Sequence, residues 1–248
     1  MSVRMTTQSP RTAIIVGASS GIGEALARQL DREDWRVVLL ARRLDRLETI
    51  RQSLGPQTVA RRLDVTDADA TAMFESLLNE LGGDLVVLSS ATGHLNPQLN
   101  AEPDLDTIDV NVRGFMTLAQ AAMRHFLSRG QGHLVGITSV AALAGNRDGA
   151  VYAASKAFQS VYLDGLRDLV KRSRKPIAVT EVQPGFVDTA MMKTDRPLSP
   201  LVRRLLVASP EVAARQIMRA IRARRKHAYI TRRYGLIAFI IRRLPRPG

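Results

Sequence analysis

The chain has 248 residues, 45% of them hydrophobic and 24% charged, which fits one large globular domain and excludes collagen-like, low-complexity and disordered chains. It has no cysteine, so disulfides, a thiolate nucleophile and Cys-ligated metals are excluded, and its four histidines lack the spacing of a catalytic metal site. The net charge of +13 is concentrated in residues 201–248, where Glu211 is the single acidic residue, so the body of the chain is nearly neutral.

Short apolar runs alternate with helical patterns along the chain. Strands are predicted over 12–17, 36–41, 58–65, 84–90, 133–139, 177–182 and 227–231, and helices over 22–30, 44–54, 67–81 (with Asp67 as N-cap), 105–128, 150–171 and 210–224. Because the strand runs are continuously apolar, both faces of the sheet should be covered by helices. The pattern predicts an α/β fold with a doubly wound parallel sheet of about seven strands, whose carboxyl ends meet at the ligand-binding edge.

A glycine-rich turn follows the first predicted strand and opens the first helix. Gly17 permits a tight turn, Gly21 lets the backbone approach a diphosphate, and Gly23 permits close packing of helix on strand. The helix N-terminus adds unpaired N–H groups and a positive dipole end. The predicted phosphate-binding residues are Gly17, Ser19, Ser20, Gly21, Ile22 and Gly23. The alternative is a purely structural turn of the same composition.

Two arginines at the end of the second predicted strand bear on which dinucleotide binds. An NAD-preferring site places an acidic side chain here, whereas this chain has Arg42 and Arg43. Their guanidinium groups suit a 2′-phosphate, so we predict NADP(H) in preference to NAD(H). The alternative is a solvated arginine pair, which the positive end of a helix disfavours. Asp64, with Val65 at the end of the third strand, could accept a hydrogen bond from the adenine amino group, or else cap a helix.

Tyr152 and Lys156 lie four residues apart on a predicted helix and therefore share one face. Because a tyrosine with a pKa of about 10 is a poor acid or base at neutral pH, we expect the Lys156 ammonium to lower the pKa of Tyr152. Lys156 can also hold a nicotinamide ribose. Ser139, at the end of the preceding strand, could bind a substrate carbonyl oxygen, and Asn111 could hold a water that links Lys156 to solvent. These four residues predict a proton-donating site beside a hydride donor, unless the Tyr–Lys spacing is a coincidence.

These motifs resemble the short-chain dehydrogenase/reductase family, in its ordinary single-domain branch. The resemblance covers residues 12–230 and is carried by 17–23, 64–65, 111–114, Ser139, 152–156 and 184–189. It implies a Rossmann-like fold and a catalytic tetrad of Asn111, Ser139, Tyr152 and Lys156. It further implies that residues 184–189 wrap the nicotinamide end, with cofactor contacts from Pro184, Gly185, Val187 and Thr189. The family's basic residue after the second strand matches Arg42.

The stretch after the fourth predicted strand departs from the family pattern. The family has Asn-Asn-Ala-Gly, whereas this chain has Leu88-Ser89-Ser90-Ala91-Thr92-Gly93. Either Ala91 replaces the motif glycine or the loop has shifted to Gly93. We expect the backbone of Ser90 and Ala91 to contact the cofactor. His94 follows, and it either lines the substrate cleft or is an ordinary surface histidine.

Substrate choice is expected to lie in the segment 186–208, where Met191 and Met192 line either an apolar pocket or the core. We divide the chain into a domain over 1–231 and a basic tail over 232–248. In the tail, Tyr234 and an apolar run over 235–241 are flanked by arginine pairs, a pattern that suits an amphipathic helix on an anionic membrane. The alternatives are packing on its own domain or on a dimer mate, or docking of an acidic carrier protein. Nucleic acid is not an expected partner, because no reader motif is present.

No apolar segment is long enough to span a bilayer and no secretory signal precedes the first strand, so we expect a cytoplasmic protein with peripheral membrane contact through the tail. The resemblance implies a homodimer or homotetramer built on the two long helices. The predicted function is an NADP(H)-dependent oxidoreductase that interconverts a carbonyl and a secondary alcohol in a small-molecule substrate. The alternative is a non-catalytic dinucleotide sensor or scaffold, tethered by the tail.

Overall fold

The computed structural model describes residues 10–145, 147–192, 199, 206–231 and 234–235. Its strands are β1 Thr12–Val16, β2 Arg36–Ala41, β3 Val59–Arg62, β4 Leu85–Leu88, β5 Gly132–Ile137, β6 Ile177–Pro184 and β7 His227–Ile230. They form one sheet in the order β3-β2-β1-β4-β5-β6-β7, with every neighbouring pair parallel. The predicted doubly wound parallel sheet is therefore confirmed.

Helices connect consecutive strands. They are α1 Gly21–Asp31, α2 Leu44–Gln52, α3 Ala70–Leu81, α4 Ala101–Ile108, α5 Phe115–Arg129, α6 Ala150–Ser173 and α7 Pro210–Arg222. The single helix predicted over 105–128 is in fact α4 and α5 joined by a π-helical segment, Asp109–Gly114. Short 3₁₀ turns cover Val140–Leu143 and Ala190–Met192.

The core has two layers, one on each face of the sheet. On one face, Ile15 and Leu39 pack with the buried sides of α1 and α7. On the other face, Ile14 and Leu40 pack with α3 and α5. Since neighbouring residues of each central strand are buried on opposite faces, these strands have no polar side, which explains their continuously apolar sequence. Each fully buried leucine or isoleucine contributes about 1.5–3 kcal/mol to stability.

The strand order reverses next to β1, because the chain continues to β2 on one side and later returns to β4 on the other. The carboxyl ends of β1 and β4 therefore flank the crevice in which open α/β sheets bind ligands. Gly17 follows β1 with φ of +86°, and a Cβ there would lie 2.5 Å from the main-chain nitrogen of Ser90, after β4. Only glycine satisfies both constraints.

Several predicted boundaries differ from the structure, and three of the differences involve residues with a predicted role. Asp67 is not the N-cap of α3, which begins at Ala70, and its carboxylate instead pairs with Arg62 at 3.0 Å. β3 ends at Arg62 rather than at residue 65, because the Asp64 carboxylate accepts hydrogen bonds from the main-chain N–H and the hydroxyl of Thr66 and turns the chain out of the sheet. β5 ends at Ile137, so Ser139 lies beyond the strand.

Tyr234 contradicts the prediction of an interfacial tyrosine in the tail. Its side chain is buried, with its ring against Gly185, where there is no Cβ to occupy the space. Its hydroxyl donates to the main-chain oxygen of Leu206 at 3.2 Å. Residues 236–248 lie outside the described residues, as do 193–198 and 200–205 of the expected substrate segment. In the ranges that are described, no helix is long and apolar enough to cross a membrane.

Candidate active site

The glycine-rich turn forms a cradle at the start of α1. Gly21 has φ of +58°, and a Cβ on Gly23 would overlap the main-chain oxygen of Gly17. Ser20 is the extended N-cap of α1, but its side chain makes no capping hydrogen bond. The Ser20 side chain therefore leaves the first N–H groups of the helix uncapped at the turn, so the cradle fits a diphosphate. Ile22 packs instead against the hydrophobic core.

The two arginines after β2 take different positions. The Arg43 guanidinium donates to the hydroxyl of Ser19 at 3.0 Å and to that of Ser20 at 3.5 Å. Arg42 is also exposed, and its Nε lies 3.9 Å from the Asp64 carboxylate. Arg43 therefore lies directly beside the cradle, and Arg42 connects the ends of β2 and β3. Together they present two cations next to a serine hydroxyl, a donor set suited to a phosphate monoester.

The segment after β6 lies over the same cradle. A Cβ on Gly21 would lie 2.9 Å from the Thr189 methyl group, so Thr189 covers the start of α1. Val187 is buried and pairs with Ala208 in an isolated bridge. The Asp188 N–H donates to the Ala208 main-chain oxygen at 2.9 Å. These contacts hold the predicted nicotinamide segment, from Pro184 at the end of β6, facing the glycine turn.

Tyr152, Lys156 and Ser139 meet at the carboxyl end of β5. The Lys156 ammonium lies 5.7 Å from the centre of the Tyr152 ring. Ser139 begins a 3₁₀ turn, where its oxygen accepts from the Ala141 N–H at 3.1 Å, and its hydroxyl hydrogen-bonds with Tyr152. Burial raises the pKa of Tyr152, and the hydrogen bond from Ser139 opposes this only in part. The expected lowering of this pKa by Lys156 is not found, since burial raises the pKa and the lowering contribution comes from Ser139.

Lys156 is buried and held by oxygen atoms. Its Nζ donates to the main-chain oxygen of Ile137 at 3.2 Å and to Oε1 of Gln159 at 3.0 Å. Burial lowers the pKa of Lys156 to about 7. The two neutral acceptors favour the charged form, but they replace only part of the lost hydration.

Asn111 lies in the π-helical segment and clamps the loop after β4. Its Oδ1 accepts from the Thr92 N–H at 3.0 Å, and its Nδ2 donates to the Thr92 main-chain oxygen at 2.7 Å and to Ser155 Oγ at 3.0 Å. The main-chain oxygen of Asn111 accepts from Nε2 of Gln159 at 2.8 Å. Gln159 therefore connects Asn111 to Lys156 directly through protein groups.

In the altered stretch after β4, the glycine at position 93 is explained by its contact with Tyr152. A Cβ on Gly93 would lie 2.5 Å from Cδ2 of Tyr152, so the ring packs directly on the glycine backbone. The Ser89 N–H continues the sheet by donating to the Val16 oxygen at 2.8 Å. Ser90 and Ala91 follow, half-buried, at the edge of the crevice. Gly93 thus has its own structural requirement, whichever residue replaces the family's motif glycine.

The rim of the site is partly apolar. His94 is exposed but not isolated, since its Nε2 lies 2.8 Å from the Asp106 carboxylate. Met191 is 47% exposed, so it is not a core residue. Other exposed apolar side chains near these segments are Leu95, Leu99 and Phe186.

The sequence model described as short chain dehydrogenase matches residues 11–198. The chain belongs to this family. An "uncharacterized oxidoreductase" of Myxococcus xanthus is 38% identical over 198 residues, which cover 77% of this chain and 78% of the relative. This short-chain dehydrogenase is therefore an oxidoreductase.

Solved structures agree with the fold. A short-chain dehydrogenase from Burkholderia cenocepacia in complex with NADP superposes with a TM-score of 0.81 at 22% identity, covering 95% of this chain and 94% of the other. A 3-ketoacyl-(acyl-carrier-protein) reductase from Brucella melitensis, complexed with NADH, gives 0.79 at 21% identity, covering 89% and 96%. At these identities the comparison shows the Rossmann-like fold alone.

Gln159 is the site residue that the sequence reasoning missed in this short-chain dehydrogenase. It follows Lys156 by three residues, so it lies on the face of α6 that carries Lys156 and Tyr152. The signal that the sequence offered for Gln159 was a polar residue at a helix position that faces the core. Its partner, Asn111, lies 48 residues away in the sequence, so the link itself depends on tertiary packing.

The contact between Gly93 and Tyr152 can be tested with one methyl group. In Gly93→Ala the ring must shift, and a displacement of about 1 Å costs on the order of 100-fold in turnover. We expect that loss of oxidoreductase turnover, with the far-ultraviolet circular dichroism spectrum unchanged. Gly145→Ala is the matched control, because an added Cβ there has nothing within 4 Å. Equal turnover in both variants would contradict a positioning role for this contact.

Proposed function

We propose that the chain is an NADP(H)-dependent oxidoreductase that interconverts a carbonyl compound and a secondary alcohol, with Tyr152 as the general acid and base. The single observation that carries the proposal is the grouping of the Tyr152 phenol, the Ser139 hydroxyl and the Lys156 ammonium at the sheet edge where the glycine cradle opens. Phenol, hydroxyl and ammonium provide a proton donor, a carbonyl-binding group and a cation.

The cradle over 17–23 and the segment over 184–189 would hold the dinucleotide, with Asp64 and Val65 toward the adenine and Ser90 and Ala91 beside the crevice. When bound, the nicotinamide supplies or accepts the hydride. Structures with this fold hold either NADP or NADH, so the fold does not decide the preference. Support for NADP(H) comes from Arg43 beside Ser19, with Arg42 close by.

Tyr152 would deliver the proton during reduction. Because burial raises its pKa, the phenol keeps its proton at neutral pH and can donate it to the carbonyl oxygen. The Tyr152 O–H bond breaks as the O–H bond of the alcohol forms, which leaves a tyrosinate that the Lys156 ammonium stabilises. When substrate binds, Ser139 would turn its single hydroxyl proton from Tyr152 to the carbonyl oxygen, while its oxygen still accepts the Ala141 N–H. Asn111 acts indirectly by holding Thr92 and Gln159 in place.

Removing one hydroxyl tests the acid. Tyr152→Phe keeps the ring against Gly93 but has no proton to donate, so we expect turnover to fall by about 100-fold or more while NADPH binding stays near that of the wild type. The measurement is NADPH oxidation against a panel of ketones, sugars and acyl thioesters, with binding followed by NADPH fluorescence. Normal turnover in this variant would refute the role of Tyr152 and favour a different proton donor.

The preference for NADP(H) can be tested at Arg43. Arg43→Ala removes the cation beside Ser19, and loss of a charged hydrogen bond should weaken NADPH binding by about 10- to 100-fold. NADH lacks the 2′-phosphate, so its dissociation constant should change much less. Arg32→Ala, at the far end of α1, controls for the loss of charge. If Arg43→Ala weakens the binding of NADPH and of NADH equally, the proposed 2′-phosphate contact is rejected.

The family resemblance also supports a homodimer or homotetramer with a small-molecule substrate. Apolar side chains stay exposed on the two long helical regions that the resemblance assigns to assembly, and these are Leu105, Ile108, Val161 and Leu169. Light scattering of the purified chain measures its oligomeric state, and a monomer at micromolar concentration would contradict this proposal.

We further propose that the tail contacts an anionic membrane. Tyr234 fixes the start of the tail at Gly185, and the following sequence combines an apolar run over 236–241 with flanking arginine pairs. Flotation with phosphatidylcholine–phosphatidylserine vesicles should recover the full chain but not a chain that ends at Gly235, which keeps the buried tyrosine. Equal recovery of the two chains would favour packing of the tail on protein instead.

A further inference from the structure

Gln159 joins two residues of the site and is completely buried. Its Nε2 donates to the main-chain oxygen of Asn111, and its Oε1 accepts from Lys156 Nζ. The orientation of the amide is determined, because a carbonyl oxygen can only accept and an ammonium can only donate. An amide that was flipped would face each partner with the wrong atom.

The hydrogen bonds continue beyond Gln159. Asn111 binds both main-chain polar groups of Thr92, and its Nδ2 also reaches Ser155. Asn111, Ser155, Lys156 and Gln159 are all buried. Lys156 is therefore attached to the loop after β4 by protein groups, and a glutamine amide does not pass protons along as a water molecule would, since it must first become its high-energy imidic acid form.

We propose that Gln159 is a positioning residue that keeps Lys156 in place and charged beside Tyr152. An ammonium has three donors, of which Ile137 and Gln159 accept two. The third remains for the site. Among the described residues no carboxylate forms an ion pair with Lys156, and the groups that face it are the Tyr152 ring, the Gln159 amide and the Ile137 main-chain oxygen. Within the described ranges, Gln159 is thus the one side chain that accepts a hydrogen bond from the ammonium.

The charged and the neutral form of the Lys156 amino group are close in free energy at neutral pH. Burial lowers the pKa of this group to about 7, so removal of one acceptor changes which form predominates. Gln159→Met keeps the length of the side chain but has no strong acceptor, so the pKa of Lys156 should fall. Gln159→Glu keeps an acceptor and adds a negative charge, so the pKa should rise.

The experiment is an NMR pH titration of the full chain labelled with ¹³C at lysine Cε. The sequence has five lysines, so the Lys156 signal can be assigned by its loss in Lys156→Met. We expect the pKa of Lys156 to fall by about one unit or more in Gln159→Met and to rise by a similar amount in Gln159→Glu. Gln120→Met, on the exposed side of α5, is the control and should leave the titration unchanged.

Wild-type titration of Lys156 in both Gln159 variants would overturn the proposal, and so would shifts in the same direction. If Gln159→Met does not fold, the direction of the shift in Gln159→Glu decides alone. The catalytic meaning of the residue rests on the proposed function, but the titration needs neither substrate nor cofactor. Opposite shifts of the Lys156 pKa in the two Gln159 variants, together with full turnover in Tyr152→Phe, would support Gln159 as the residue that positions the ammonium. The same result would refute Tyr152 as the proton donor.

Discussion

A buried ammonium held by neutral oxygens is the constraint on which the site depends. Lys156 has lost its hydration, and Ile137 and Gln159 replace only part of it. Charged groups in such surroundings respond strongly to any nearby anion. The same burial has the opposite effect on Tyr152, because it stabilises the neutral phenol. The site therefore combines a phenol that retains its proton with a cation whose charge is easily changed, a combination suited to donating a proton and then stabilising the anion.

Close backbone contacts place these groups relative to the cradle. Gly17 lets the ends of β1 and β4 approach each other, and Gly93 lets the loop after β4 lie on the ring of Tyr152. Asn111 fixes the same loop from the other side by binding Thr92. The loop after β4 thus touches both the phosphate turn and the proposed acid. Its departure from the family's Asn-Asn-Ala-Gly pattern leaves both contacts in place.

The sequence predicted the features that depend on local spacing. Continuous apolar runs gave the parallel sheet, and the family was identified from its motifs. Asn111 and Ser155 are 44 residues apart, and Tyr234 meets Leu206 across 28, so no periodicity could reveal these contacts. The sequence predicted that the pKa of Tyr152 is lowered, whereas the structure raises it. The spacing shows that Lys156 is near Tyr152, but it does not show that the phenol is buried. Asp67 is not the N-cap because the helix begins three residues later, at Ala70, where tertiary packing and not the local sequence pattern places it.

A crystal structure of the chain with NADPH tests the central claim most directly. The account predicts that the diphosphate lies on residues 17–23, that the 2′-phosphate meets Arg43, and that the Tyr152 hydroxyl and the Lys156 ammonium both face the nicotinamide end. A complex in which the nicotinamide lies away from Tyr152, or in which the dinucleotide binds outside the crevice between β1 and β4, would contradict it.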